Sequence, residues 1–71
     1  MSYIRAQKKF GKNIRDIRIK KGLSQEEASK ICHISVTYLA GIERGERNPS
    51  LSVIENICKG LNVKPSQVLP F

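Results

Sequence analysis

The sequence predicts an all-α fold of four to five short helices. Apolar residues recur at three- and four-residue spacing along most of the chain, the period of a half-buried helix. A serine stands just before three of these runs, at Ser24, Ser35 and Ser50, where an N-cap belongs. Nothing alternates with period two over a useful length. With 71 residues there is room for one domain, 1–71, and for no second.

Residues 3–21 read as an amphipathic helix, with Phe10, Ile14 and Ile17 on one face and bases on the others. Ile4 extends the stripe backward unless the first residues fray, and Ile19 lies off it, partly exposed. Lys20 and Lys21 suit a helix C-terminus, and Gly22 stops it. Ser24-Gln25-Glu26-Glu27 fits the capping box and opens a second helix to about Cys32, with Ala28, Ile31 and Cys32 inward. His33-Ile34 breaks it. Ser35 caps a third helix, Val36 to Arg44, which Leu39 and Ile42 anchor, and Gly45 ends it. After a polar connection, Ser50 caps a fourth helix at about 51–61, whose stripe is Leu51, Ile54, Ile57, Cys58 and Leu61. Asn62 stops that helix, and Pro65 suits the first turn of a fifth, through about Leu69.

Thirteen Lys and Arg against six Asp and Glu leave a net charge of +7. Arg5, Lys8, Lys9, Lys12, Arg15, Arg18, Lys20 and Lys21 all fall within residues 1–22, where Asp16 is the only acid. Such a balance suits either a solvated face that keeps a small protein soluble or a field that draws it onto an anionic polymer. The chain has no apolar run that could span a membrane, so no membrane partner is expected. Cys32, Cys58 and His33 are too few for a four-ligand zinc site, so no metal and no cofactor are expected. One His, no carboxylate pair in an apolar setting and no Gly-rich phosphate loop argue against an enzyme.

Helices at 24–32 and 35–44, separated by a tight break, have the spacing of a helix-turn-helix. The strings Phe10-Gly11-x-x-Ile14-Arg15-x-Ile17-Arg18, Gly22-Leu23-Ser24-Gln25-Glu26-Glu27, Ile34-Ser35-x-Thr37-Tyr38-Leu39-x-x-Ile42-Glu43-Arg44-Gly45 and Arg47-Asn48-Pro49-Ser50-Leu51 carry a resemblance. From about residue 8 to 69 the chain resembles the phage-repressor and Cro-like helix-turn-helix family. Thr37-Tyr38 with Ile42-Glu43-Arg44-Gly45-Glu46-Arg47-Asn48, together with the small size, looks most like the controller proteins of restriction–modification systems.

The resemblance implies a compact five-helix, lambda-repressor-like domain. Its third helix would read the major groove of double-stranded DNA, in a homodimer on a palindromic operator. It implies a cytoplasmic regulator, with RNA polymerase as a further expected partner and no small-molecule ligand. Carried onto this chain, Gln25 becomes a phosphate or base contact. Ser35 caps the reading helix, and Val36, Thr37, Ala40 and Gly41 form the face that meets base edges. Tyr38 contacts a phosphate or stacks on sugar, while Arg44, Arg47 and Asn48 clamp the backbone. Thr can donate to a base or meet a thymine methyl, and Val can do only the latter. The resemblance also implies that Arg18 and Glu43 form a partly buried scaffold pair without contact to DNA.

The resemblance breaks at three points. Val36 stands where controllers commonly have Arg, so a guanidinium that reads guanine is missing. His33 replaces a turn Gly at a position that often needs φ > 0, which His tolerates less well. Ala28-Ser29 replaces a Leu-Ala pair, which implies slightly looser packing. Cys32 and Cys58 occupy positions where the family has small residues, and a free buried Cys acts as a small hydrophobe.

The apolar end Val68-Leu69-Pro70-Phe71 is expected to be covered, by the domain's own core or by a second subunit. With no effector domain after it, occupancy would follow protein concentration. The competing reading is a protein-interaction module, an antitoxin or a coactivator-like bridging domain, which would use the same fold to hold a protein.

Overall fold

The computed structural model describes residues 2–71. Five helices follow in order: α1 (Ser2–Lys20), α2 (Gln25–Ile31), α3 (Val36–Glu43), α4 (Leu51–Leu61) and α5 (Pro65–Val68). No strand occurs among the described residues.

Local chemistry sets the boundaries. Ser24 and Glu27 form the full capping box. Glu27 N donates to Ser24 Oγ at 3.0 Å, and Ser24 N donates to Glu27 Oε1 at 2.8 Å. The backbone amide of Ser24, more than its hydroxyl, holds the Glu27 carboxyl below its usual pKa. Ser35 and Ser50 cap α3 and α4 through the amides of Tyr38 (3.0 Å) and Val53 (3.3 Å). Asn62 ends α4 in the left-handed region at φ 56°. Pro65 opens α5, which stops one residue short of expectation because Leu69 is already extended.

The core takes Phe10 and Ile14 from α1, Ala28 from α2, Leu39 and Ile42 from α3, and Ile57, Cys58 and Leu61 from α4. Cys32, which caps α2, and Val68 of α5 complete it. Ile17 packs against this cluster half-buried, and Ile19 is exposed, both as expected. Ile4 is exposed and does not extend the stripe.

Two apolar positions lie elsewhere than their spacing implied. Ile31, expected inward, is 42% exposed, while Ser29 is buried. The cause is a close backbone approach. A Cβ added at Gly60 of α4 would sit 2.5 Å from the Ile31 carbonyl oxygen and 2.9 Å from Cys32 Cα. Backbone therefore makes the contact there, and the Ile31 side chain is turned out. The Ser29 hydroxyl donates to the Glu26 carbonyl at 2.8 Å, so its burial leaves no polar group unpaired.

Leu51, expected in the α4 stripe, is 85% exposed. It is the first residue of its helix, and it lines two apolar grooves rather than joining the core. At the apolar C-terminal end, Val68 is fully covered by the domain's own core, whereas Phe71 is 95% exposed.

His33 adopts φ 57°, the left-handed conformation its position was expected to need. That region costs a residue with a Cβ about 1–2 kcal/mol, offset in part by the extra chain entropy a glycine loses on folding. A His33→Gly change is thus expected to stabilise the domain by about 0.5–1 kcal/mol. Urea melts showing a higher midpoint at unchanged slope would bear this out, and a lower midpoint would contradict it.

Candidate nucleic-acid interface

The turn between α2 and α3 is built by hydrogen bonds of the chain itself. His33 N donates to the Lys30 carbonyl at 3.2 Å and Ile34 N to the Ser29 carbonyl at 3.1 Å, the pattern of a helix ended by a left-handed residue. Ile34 packs half-buried on the core and Ser35 starts α3, so only four residues separate the two helices. At its far end α3 rests on α1. A Cβ on Gly11 would collide with the Ile42 carbonyl oxygen and press on the Glu43 backbone. Only a residue without a side chain allows that seat.

One carboxylate locks the arrangement. Glu43, last in α3 and with its side chain 3% exposed, accepts from Arg18 Nε at 2.7 Å and Arg18 Nη2 at 3.0 Å. This two-pronged pairing is the strong form of an ion pair. Gln25 Nε2 donates to Glu43 Oε1 at 3.0 Å, and Arg18 Nη1 donates to the Leu23 carbonyl at 2.8 Å. The expected scaffold pair is therefore present, with a third member that sequence spacing did not place in it. Gln25, expected as a DNA contact, is half-buried with its amide engaged by Glu43.

The other candidate residues divide by exposure. Ser35, Val36, Thr37, Arg44, Arg47 and Asn48 are exposed, and Ala40 is half-buried. Gly41, expected on the outward face, is buried. The Arg47 side chain lies over it, so that a Cβ on Gly41 would come within 3.0 Å of Arg47 Cγ and Nε. The same guanidinium stands 5.7 Å from the centre of the Tyr38 ring, a cation–π distance. Tyr38 is half-buried and packs on the core from below, so it serves both surface and scaffold. Arg44 is paired with Glu46 at 3.0 Å, but both are more than half exposed, and such a pair holds weakly.

No group of three or more His, Cys, Asp or Glu is placed to hold a metal among the described residues. Burial, and then the neighbouring Cys58, push the Cys32 thiol up to about 11, so it stays protonated and unreactive. No helix among them is long and apolar enough to cross a membrane.

A profile of helix-turn-helix domains matches residues 14–68. The chain belongs to the helix-turn-helix family. This helix-turn-helix protein is a DNA-binding transcriptional regulator rather than an enzyme. It is 46% identical over 63 residues to the control protein C.BamHI of Bacillus amyloliquefaciens, a match covering 87% of this chain and 78% of that one. It is 39% identical over 61 residues to the uncharacterised regulator YazB of Bacillus subtilis, covering 86% and 88%. Among solved structures, the restriction–modification controller protein C.AhdI of Aeromonas hydrophila superposes with a TM-score of 0.86 at 36% identity. That match covers 89% of this chain and 96% of the other.

Because the Glu43 carboxylate is almost fully desolvated, removing it strands the Arg18 charge beneath α3. Glu43→Ala is expected to cost about 3–5 kcal/mol, a large share of what a domain this size holds. Denaturant melts of that variant with an unchanged midpoint would show the pair to be energetically idle.

Proposed function

We propose that this helix-turn-helix protein is a controller of restriction–modification genes that binds a palindromic operator as a homodimer in the cytoplasm. The observation that carries the reading is the leading end of α3. There Ser35, Val36 and Thr37 are exposed together on a helix held rigidly by Glu43. Side chains in that place reach base edges when the helix enters a major groove. Arg47, Arg44 and Asn48 follow at the other end as backbone clamps, and the Tyr38 hydroxyl is offered to a phosphate or a sugar. The resemblance to C.BamHI and C.AhdI supports the controller role. Recruiting or excluding RNA polymerase at the promoter is how a bound dimer would act.

The dimer is supported by the face around Leu51. Leu51 and Phe71 project 85% and 95% exposed, beside an apolar groove of about 190 Å³ that also involves Ile54, Leu69 and Pro70. A two-fold axis through that patch would let each copy's projecting residues fill the other's groove. The two α3 helices would then lie about 34 Å apart, one turn of DNA.

Footprinting on the chain's own upstream region tests the operator. Binding is expected to weaken linearly in log K against log salt, as phosphate contacts release counterions. Arg47→Ala should lower affinity for all sequences alike and reduce that slope by about one, whereas Thr37→Ala should change base preference. A change of preference from Arg47→Ala at a single base pair would reverse these roles. Leu51→Glu should turn the dimer into a folded monomer by sedimentation, and a wild-type monomer at about 10 μM would reject the two-fold arrangement.

A further inference from the structure

We infer that the leading end of α3 selects DNA by the 5-methyl groups of pyrimidines, so that thymine and 5-methylcytosine satisfy the same contact. The inference rests on the DNA-binding reading above and names what that site recognises.

Base edges in the major groove call for particular partners. Guanine takes a Lys or Arg, adenine an Asn or Gln amide, the cytosine amino group a carboxylate, and the thymine methyl an apolar group. The α3 sequence, Val-Thr-Tyr-Leu-Ala-Gly-Ile-Glu, holds no Lys, Arg, Asn or Gln. Its one carboxylate, Glu43, is spent on Arg18. The neighbouring amide of Gln25 donates to Glu43, and the Arg47 guanidinium lies across Tyr38 and Gly41. Arg44 and Asn48 lie past the other end of the helix. The turn's His33 offers a ring nitrogen but no fork.

What faces outward at this end is the Val36 side chain, 39% exposed, with the exposed Thr37 and the exposed Ser35, whose hydroxyl already accepts from Tyr38 N. An isopropyl group can gain only by covering another apolar group, and the C5 methyl is the apolar group a base pair shows in that groove. Val36 has no polar atom with which to tell the O4 of thymine from the amino group of 5-methylcytosine. The Thr37 hydroxyl both donates and accepts, so it meets either. The methyl is what counts, and uracil and unmodified cytosine lack it.

Selection of the full chain on random duplexes supplies a bound site, which is then synthesised with uracil in place of thymine in each half-site. Affinity is expected to fall about fourfold for each contacted methyl lost, the value of one buried methyl group. Where a half-site thymine is changed to cytosine, 5-methylation of that cytosine should restore about the same factor. Val36→Ala should lose this factor on the thymine duplex and nothing further on the uracil duplex. Equal affinity for thymine and uracil duplexes overturns the inference and leaves DNA binding standing. So does an equal loss from Val36→Ala on both, which would make Val36 a structural residue. Failure to enrich any duplex at low ionic strength overturns this inference together with the DNA-binding reading.

Discussion

Three parts of the chain meet at the Glu43 carboxylate. Arg18 brings α1 to it, Gln25 brings the start of α2, and the Leu23 carbonyl brings the connection between them through Arg18. Two charges taken out of water regain in mutual attraction little more than they lose in hydration, so the pair adds little net stability over an apolar contact. Its weight lies in what it forbids. Any packing of α3 that moved Glu43 off Arg18 would leave both charges desolvated and unpaired. The angle at which α3 stands against α1 and α2 is thereby fixed from its C-terminal end, while Ser35 fixes where it begins. The outward face between these two points is then set from its two ends, by Ser35 and Glu43, with Val36 and Thr37 exposed between them.

The glycines inside helices extend the same logic. Gly11 lets the end of α3 sit directly on α1, and Gly60 lets α4 reach the backbone of α2. In both places a backbone surface replaces a side-chain contact, so small helices pack closely around a core of ten buried apolar side chains among the described residues. Gly41 differs in kind. It makes room for a charged side chain, Arg47, which lies back along α3 and covers Tyr38. The base at the far end of α3 is thus shaped by packing before any nucleic acid arrives.

How legible each feature was in the sequence follows from its range. The caps at Ser24, Ser35 and Ser50 join residues three apart, and all three were readable from the string alone. The ion pair between Arg18 and Glu43 spans 25 positions, and it was readable only because the surrounding strings resemble a known family. Gln25 has a partner, Glu43, that such borrowing did not supply. The same amide can face a phosphate or a carboxylate, and nothing local says that Glu43 is close enough to claim it. Ile31, Leu51 and Gly41 escaped for a related reason. Helical period gives the direction of a side chain, whereas burial depends on what stands opposite. A glycine in α4, an open groove and an arginine six residues on decided these three cases.

The placement of charge separates attraction from choice. Arg5, Lys9 and Lys12 lie about 100° or more around α1 from Gly11, so they stand off the stripe of that helix on which α3 is seated. The molecule measures 23 and 22 Å across its shorter axes, about two Debye lengths in 0.1 M salt. In the proposed complex, a base more than a Debye length from the duplex would act on the approach more than on the bound state. Contacts that survive screening must come from side chains at the interface, and in the proposed one the bases sit past one end of α3 while its first turn carries none. In the proposed complex, a helix with bases past one end and only uncharged side chains at the other would be held on phosphates by the first while the second compares bases. On that proposed reading, the comparison turns on surface covered more than on charge satisfied.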